Sequence, residues 1–543
     1  MSRYARAVRT ACLALALLLP AALTTACGGG DDARVTLRVL ASPELADVAP
    51  LLDDLARDTG VRLDMSYEAT ADLAGQPAAA GTPSHSSDSS DSSYSSYDLA
   101  WPVSDRSFLL RLQASGKSTA RPESTPIMRS PVVVGLTPSV AQRLRKGVPG
   151  SRLTWADIAD AAARGVVRFG MADPRRSDTG RAALVGVATA AAGTGSALRA
   201  QDVSCDRLRG FRSGQTLTGA SSRDLLAGYP AHQDRANALI AHESELLSLN
   251  ATKKLREPLE IVRPDDGMVL SDFPLLLLHP AQREAYRKVV DWLLGADAQR
   301  RLMETTHRRP VNPDVTPAPA LRASVGNALS FPDRLAVVEQ LVDDYGDPTD
   351  PTADQVVFLL DFSTSMRGRR IAGLRAAFAG LSGADRSAGG KFTRFYRGER
   401  LTVVRFGGRV LQERTVTVRD DADLRALGRV VADGGFDDAT AVWSALDRGY
   451  RIAADAVRAQ PERPVAIVLM TDGESNSGLS YGEFLRRYEA LGRTAQAVPT
   501  FTVPFGEADA GALERAATAT GGRMVDAGLS SLSEAFKEIR GCR

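Results

Sequence analysis

The sequence predicts an α/β protein built from open, mostly parallel sheets flanked by helices. In the last third of the chain, the apolar runs 356–360 and 465–470 are typical of strands that are buried on both faces. Between these runs, Ile371, Leu374 and Phe378 recur at helical spacing. Strands that alternate with helices favour a parallel sheet, and ligands of such sheets bind at the carboxyl ends of the strands.

Hydroxyl and carboxylate side chains follow these predicted strands. Asp361, Ser363 and Ser365 come directly after the first run, Asp472 follows the second, and Thr440 lies in a Gly-rich segment between them. Oxygen ligands of this kind suit a hard divalent cation that keeps some of its water, so Mg²⁺ or Mn²⁺ is the expected ion. Each fragment alone is equally typical of a turn or a helix cap. The ordered set, with each member after a strand pattern or in a loop, indicates a metal site.

This arrangement resembles the metal-ion-dependent adhesion site of von Willebrand factor type A domains, and it predicts such a Rossmann-like domain over residues 355–543. The resemblance implies that the hydroxyls contact the metal, that the carboxylates act directly or through water, and that a carboxylate of a protein partner takes the open position. The residues assigned in this way are Asp361, Ser363, Ser365, Thr440 and Asp472. Thr440 departs from the family pattern, because extra residues precede it. Asp437 and Asp438 are either additional ligands or solvated loop acids.

The beginning of the chain has the features of a secretory signal. Three arginines precede an apolar stretch at 11–23, which is too short to cross a bilayer. The stretch ends near Cys27 in a segment that resembles a bacterial lipobox, with Thr24 where the family usually has Leu. The resemblance implies a signal peptide at 1–27, lipidation of Cys27, a tether at 28–33, and a lipid-anchored protein on the extracytoplasmic face of the bacterial cell membrane. Ordinary signal cleavage is the alternative.

Composition and cysteine use narrow the function further. The chain has 543 residues, 44% of them hydrophobic, which is enough for several cores, and a net charge of +2 favours no nucleic-acid partner. Cys12 leaves with the signal and Cys27 carries the lipid, so Cys205 and Cys542 remain in an oxidising compartment. A disulfide between them would stabilise the fold by roughly 5–6 kcal/mol in the chain-entropy model. Two buried free thiols are the alternative.

Residues 34–310 form a separate unit of strands that end in small or polar residues before helices. Their order resembles type 2 periplasmic solute-binding proteins, which have two α/β lobes joined by hinge strands and a ligand between the lobes. The resemblance places ligand contacts in the strand-to-helix turns, at Ser42, Trp101, Ser130, Ser177, Thr179 and Ser244. For each Ser or Thr, capping of a helix is the alternative. The Ser-rich segment 84–97 is expected to be a disordered polar loop near the cleft.

The remaining residues, 311–354, are interpreted as a linker that contains a helical patch. No nucleophile elbow, HExxH or phosphate-binding loop occurs in the sequence, and the five histidines have no metal-ligand spacing, so we expect no enzymatic activity.

The sequence leaves two hypotheses for the function. The protein either uses the metal site to bind an acidic residue of a protein partner, or it is a receptor whose cleft binds a small-molecule solute and signals through the type A domain.

Overall fold

The structure is a computed structural model of the chain. It describes residues 35–68, 97–114, 121–146, 150, 152–347, 354–384, 394–432, 434–473, 475–505, 510–526, 535, 538 and 542. The predicted signal peptide and lipobox at 1–27, the tether at 28–33 and nearly all of the Ser-rich loop at 84–97 lie outside these residues. In the described segments, no helix combines the length and the apolar character needed to cross a membrane.

The N-terminal unit is built from twelve described strands and ten described α-helices. The strands are β1 (Val35–Ala41), β2 (Val61–Tyr67), β3 (Leu99–Trp101), β4 (Glu123–Pro126), β5 (Met128–Leu136), β6 (Phe169–Ala172), β7 (Gln215–Gly219), β8 (Ala238–His242), β9 (Glu260–Val262), β10 (Leu270–Ser271), β11 (Pro274–Leu277) and β12 (Arg309–Pro310). The helices are α1 (Ala49–Thr59), α2 (Asp105–Ala114), α3 (Pro138–Arg145), α4 (Trp155–Ala163), α5 (Asp178–Ala192), α6 (Cys205–Arg212), α7 (Ser222–Gly228), α8 (Glu243–Ala251), α9 (Arg283–Leu294) and α10 (Ala296–Thr306).

These elements form two lobes, each with its own sheet. The first sheet has the order β2-β1-β3-β11-β4, and the second has β10-β5-β8-β6-β7 with β9 and β12 also paired to β5. The chain crosses between the sheets from β4 to β5 and returns from β10 to β11. Phe273, in the returning segment, has a φ of 41°, which is unusual for a bulky residue. Its ring lies 4.5 Å below the guanidinium of the buried Arg308. The segments that join the lobes are therefore well packed.

The segment predicted as a linker contains a helix that belongs to the second lobe. Helix α11 (Leu335–Tyr345) places Val337, Leu341 and Tyr345 in the same apolar cluster as the residues of α5 and α6. The rings of Tyr345 and Phe211 are 6.1 Å apart. Although its sequence position is between the two units, this helix covers the core of the second lobe.

The C-terminal unit has a single five-stranded sheet with helices on both faces. Its strands are β13 (Gln355–Asp361), β14 (Arg400–Phe406), β15 (Val410–Thr417), β16 (Val465–Thr471) and β17 (Thr500–Pro504), and its helices are α12 (Arg369–Ala379), α13 (Asp421–Ala432), α14 (Val442–Ala459), α15 (Tyr481–Glu489), α16 (Arg493–Gln496) and α17 (Ala510–Ala519). The strand order is β15-β14-β13-β16-β17, and only β15 is antiparallel to its neighbour. Every residue of β13 and β16 is buried, as expected for central strands covered on both faces. The predicted α/β fold class is confirmed.

The two units are joined by a close interface and by a covalent bond. A disulfide links Cys205 at the start of α6 to Cys542. The hydroxyl of Tyr396 donates to the carbonyl of Asp206, and Arg397 N donates to Ala163 O over 3.0 Å. A Cβ added at Gly210 would lie 2.8 Å from the Tyr396 ring, so this glycine permits the close approach of the units.

Candidate metal site and interlobe cleft

Three loops meet at the carboxyl edge of the C-terminal sheet. The first follows β13, the second is the segment 434–441 before α14, and the third follows β16. Thr364 N donates to Asp437 O over 2.8 Å, which joins the first loop to the second. Asn476 N donates to Thr440 O over 3.0 Å, which joins the second to the third. The loops that carry the five predicted metal-site residues are therefore tied to one another by backbone hydrogen bonds.

Asp361 lies at the base of this edge and is fully buried. Its Oδ1 accepts from the backbone N of Ser363 at 2.8 Å, and its Oδ2 accepts from the hydroxyl of Thr471 at 2.6 Å. Burial raises the pKa of Asp361 to about 6, against the lowering effect of these hydrogen bonds, and the nearby Asp472 adds to the increase. A negative charge on Asp361 is therefore costly unless a cation is close.

The three predicted hydroxyl ligands differ in exposure. The Oγ atoms of Ser363 and Ser365 are 2.9 Å apart, and Ser363 is buried whereas Ser365 is exposed. Thr440 is 2% exposed, and its backbone N donates to the side-chain oxygen of Asn476 over 2.8 Å. Ser365 thus lies at the solvent side of the site, where a binding partner has access.

Asp472 has one satisfied and one unsatisfied carboxylate oxygen. Its Oδ2 is 2.9 Å from Nη1 of Arg370, which also donates to Ser365 O over 3.3 Å. Its Oδ1 is buried and, among the described residues, has no hydrogen-bond partner. A buried carboxylate oxygen without a donor is costly and is typical of a site that binds a cation.

The donor set fits a hard divalent cation. In the described segments, no group of three or more His, Cys, Asp and Glu side chains could hold a metal, so this edge differs from a site made of carboxylates or imidazoles alone. It combines two buried carboxylates with three hydroxyls, which are oxygen donors suited to Mg²⁺ or Mn²⁺. The unsatisfied Oδ1 of Asp472 and the high pKa of Asp361 both mark a place where positive charge would be favourable.

The six residues predicted to contact a solute are all buried. Ser42 and Trp101 belong to the first lobe, and the Nε1 of Trp101 donates to Phe273 O over 3.0 Å, so its polar atom is already used. The other four belong to the second lobe. Ser130 Oγ accepts from Ser244 N at 3.1 Å, and Thr179 Oγ1 is 3.4 Å from Nδ1 of His242.

The capping alternative is not supported for Ser177. It occupies the N-cap position of α5, but its side chain makes no cap hydrogen bond. The Oγ atoms of Ser177 and Ser244 are both buried and, in the described part of the chain, have no hydrogen-bond partner. Two buried hydroxyls near the starts of α5 and α8 therefore have unused hydrogen-bonding capacity among the described residues.

A carboxyl group from the first lobe already enters the second lobe. Glu44 lies in the short 3₁₀ segment Pro43–Val48, and its Oε1 is 3.0 Å from the hydroxyl of Ser222 at the start of α7. The same hydroxyl is 2.5 Å from Oε1 of Glu245. Ser222 has one hydroxyl proton for two carboxyl groups, so it cannot fully satisfy both of them. Burial raises the pKa of Glu44, and the charge of Glu245 raises it further, which favours the protonated form of Glu44.

The comparisons with known proteins agree with this two-part organisation. Two α/β lobes with crossing segments are typical of binding proteins of the periplasmic type, and the third sheet forms a separate domain. Residues 37–305 match the family model described as bacterial extracellular solute-binding protein, and residues 355–538 match the von Willebrand factor type A domain. The chain thus carries a bacterial solute-binding domain followed by a von Willebrand factor type A domain, as predicted. The first of these families indicates an extracytoplasmic location and a binding role.

Several solved structures are similar to part of the chain. The periplasmic binding protein P5PA is 14% identical, with 57% of this chain and 98% of that chain covered and a TM-score of 0.41. AfuA from Actinobacillus pleuropneumoniae is 11% identical, with coverage of 57% and 98% and a TM-score of 0.43. A periplasmic thiamin binding protein is 11% identical, with coverage of 59% and 98% and a TM-score of 0.44. No curated protein matched the sequence.

Proposed function

We propose that this protein is a membrane-anchored extracytoplasmic binding protein whose type A domain uses Mg²⁺ or Mn²⁺ to bind an acidic residue of a protein partner. The observation that carries the proposal is the buried, unsatisfied Oδ1 of Asp472 at an edge that also holds the buried carboxyl of Asp361. Positive charge is needed there, and the surrounding donors are oxygens.

Each residue has a distinct role in this proposal. The hydroxyls of Ser363, Ser365 and Thr440 would hold the cation, with Asp361 and Asp472 acting directly or through water. The bound cation supplies a Lewis-acidic position for a carboxylate oxygen of the partner. The exposure of Ser365 supports this direction of approach, since the other four residues are buried.

The proposed anchor is a lipid on Cys27. The support is the apolar stretch at 11–23 and the lipobox-like segment before this cysteine. Two acyl chains would give stable membrane attachment, whereas one chain would not. The test is membrane fractionation of the full-length chain and of Cys27→Ala in a bacterial host. We expect the wild-type protein in the membrane fraction after a salt wash and the variant in the soluble extracytoplasmic fraction.

A solute receptor is the second candidate function. The unused hydroxyls of Ser177 and Ser244 favour it, because both are buried at the interlobe cleft. The start of α7 is not open to a solute, since the carboxyl group of Glu44 already occupies it. Mass spectrometry of the native protein distinguishes the hypotheses: a small molecule that copurifies and is lost in Ser177→Ala/Ser244→Ala supports the receptor.

The decisive experiment combines metal binding with affinity capture. The chain from Gly28 onward is used as bait for detergent-solubilised cell envelope, in Mg²⁺ and in EDTA, beside Asp361→Ala, Thr440→Ala and the control Asp455→Ala. Asp455 is an exposed acid on α14 that pairs only with the neighbouring Arg458 among the described residues. A partner that requires Mg²⁺ and is captured by the control but not by the site variants supports the proposal. Calorimetry that detects no difference in Mg²⁺ binding between wild type and Asp361→Ala contradicts it.

A further inference from the structure

A pocket lies between the two units, on the surface of the type A domain that faces the second lobe. It has a volume of about 1130 Å³. Helices α12 and α13 form one wall, and the end of α3 with the outer face of α4 forms the other. Because both units contribute, a ligand in this pocket would contact the solute-binding domain and the type A domain at the same time.

The carboxylates that line the pocket are already occupied. Asp160 lies 2.9 Å from Nε of Arg164, and Asp421 lies 2.6 Å from Nη2 of Arg394. Asp157 accepts from the hydroxyl of Thr154 at 2.7 Å in the capping box of α4. The same two acids also pair across the boundary, Asp160 with Arg394 at 3.5 Å and Asp421 with Arg164 at 3.8 Å. These acids are therefore already neutralised by arginines and leave no free acidic group to balance further positive charge in the pocket.

Three arginines in the same pocket have no such partner. Arg143 on α3 and Arg425 and Arg429 on α13 are exposed and line the pocket. In the part of the chain that the structure describes, no ion pair or hydrogen bond holds their guanidinium groups. Arg425 and Arg429 are four residues apart on one helix face, an arrangement of like charges that destabilises a helix. An anion bound between them would remove this repulsion.

Two further features suit an organic or condensed phosphate. The pocket floor includes the apolar side chains of Phe378 and Leu424, and the Oγ of Ser382 is buried there without a hydrogen-bond partner among the described residues. Guanidinium groups match the geometry of phosphate oxygens and bind them through paired hydrogen bonds. The volume is slightly above the range of roughly 300–1,000 Å³ that is typical of small-molecule sites, so a ligand of this size has room in the pocket.

We propose that this pocket binds a phosphate-bearing anion across the boundary between the solute-binding and type A domains, held by Arg143, Arg425 and Arg429. The anion comes either from a soluble condensed phosphate or from the headgroup of an anionic lipid. The proposal is independent of the metal site, since none of the pocket residues belongs to the loops that carry Asp361, Thr440 and Asp472.

The test uses two probes on the chain from Gly28 onward, without added divalent metal. Sodium tripolyphosphate is titrated by calorimetry, and vesicles of phosphatidylglycerol are tested by co-sedimentation beside phosphatidylcholine vesicles.

The variants are Arg425→Ala/Arg429→Ala, which removes two charges, and Gly428→Phe, which fills the pocket without changing charge. A Cβ at Gly428 would meet no atom within 4 Å, so this variant should fold. Arg493→Ala, which removes an exposed arginine of α16, is the control.

At least one probe should bind the wild type and the control, with at least tenfold weaker binding by both pocket variants. Binding of tripolyphosphate alone assigns a soluble phosphate, and binding of phosphatidylglycerol vesicles alone assigns a lipid headgroup. Without a probe, Arg425→Ala/Arg429→Ala should melt at the same temperature as the wild type or slightly higher, which shows that weaker binding does not come from unfolding. The proposal is overturned if neither probe binds, or if the pocket variants bind as tightly as the control.

Discussion

At the scale of single residues, the candidate metal site already contains a positive charge of its own. Arg370 lies in the first turn of α12 and holds Oδ2 of Asp472 at 2.9 Å, with about a third of its side chain exposed. This guanidinium neutralises part of the acidic edge but leaves Oδ1 of Asp472 without a donor. A divalent cation must therefore compete with Arg370 for the same carboxylate.

We predict that Arg370→Ala binds Mg²⁺ more tightly than the wild type. The metal-free variant loses the only described ion pair of the buried Asp472, whereas the metal-bound form keeps a cation beside it. A partly exposed pair is worth about 1 kcal/mol, so the gain in affinity should be about fivefold. Calorimetry measures it, and Arg451→Ala, which removes an exposed ion pair on α14, is the control. Equal or weaker Mg²⁺ binding by Arg370→Ala would show that the arginine does not compete.

Thr471 offers a second prediction at the same site. Its hydroxyl donates to Asp361 at 2.6 Å and accepts from Gly473 N at 3.0 Å, entirely inside the protein. Thr471→Val keeps the shape but leaves Oδ2 of the buried Asp361 and the backbone N of Gly473 without these hydrogen bonds, so we expect a loss of about 2–3 kcal/mol in EDTA. Urea unfolding measures the loss. Thr402→Val on β14 is the matched control, since it breaks only a neutral hydroxyl pair and should lose about 1 kcal/mol.

The sequence predicted the candidate metal ligands better than the neighbouring residues that hold them in place. Asp361, Ser363 and Asp472 follow apolar runs that are recognisable without a structure, because buried strands have a clear pattern. Arg370 and Asn476 have no such signal. Arg370 lies outside the apolar helical spacing of α12, and Asn476 acts through a backbone hydrogen bond that depends on how two loops meet. Whether the five predicted residues bind a metal stays a prediction.

At the scale of secondary-structure elements, the contact between the lobes depends on a buried acidic pair. Glu44 is 7% exposed and faces Ser42, Ser222 and Glu245, with His242 nearby. Burial also opposes the charge of Glu245, but hydrogen bonds from His242 and Ser222 lower its pKa overall. The folded state therefore favours the protonated form of Glu44 where the two lobes touch.

The raised pKa of Glu44 should make the stability of the fold depend on pH. The pKa of Glu44 is higher in the folded chain than in the unfolded chain, so the folded state binds more protons and its stability decreases as the pH rises through the raised pKa. Glu44→Gln cannot lose a proton, and we expect its melting temperature to fall less than that of the wild type between pH 5 and pH 8. Differential scanning calorimetry measures both, with Glu489→Gln on the surface of α15 as control. Parallel curves for the wild type and Glu44→Gln would mean that Glu44 does not titrate in this range.

Elements whose burial depends on distant partners were the hardest to predict. The strands β13 and β16 were predicted because both of their faces are apolar, whereas the pair β14 and β15 was not singled out. In β15 no residue is fully buried, since it is an exposed edge strand. The apolar face of α11 was visible in the sequence, but nothing in the sequence said that it packs against α5 and α6 rather than between the domains. A helical pattern shows that a face is buried and does not identify the surface that covers it.

At the scale of the whole molecule, the two domains are held by specific contacts across their interface in addition to the chain that links them. The guanidinium of Arg394 lies 3.5 Å from Asp160 and 2.6 Å from Asp421, and so joins α4 to α13. Gly165 has a φ of 71°, and a Cβ there would lie 2.6 Å from Arg419 O. A glycine is required at that position both by the backbone conformation and by the close approach of the second domain.

The disulfide leads to the last prediction. Cys205 and Cys542 are 337 residues apart in sequence, so the bond connects the second lobe to the type A domain and closes a long loop that leaves out residues 35–204. The chain-entropy model assigns to such a loop about 6 kcal/mol of stabilisation, an upper value because unfolded chains keep some structure. The variant Cys205→Ser/Cys542→Ser should therefore unfold at a lower urea concentration than the oxidised wild type. It should also unfold in two transitions, because each domain has its own core and the polar interface alone couples them weakly.

Urea unfolding followed by circular dichroism measures both effects. The reduced wild type should behave like the variant, and the variant itself should not respond to dithiothreitol. A single transition at the midpoint of the oxidised wild type would instead show that the noncovalent interface couples the domains without help from the disulfide.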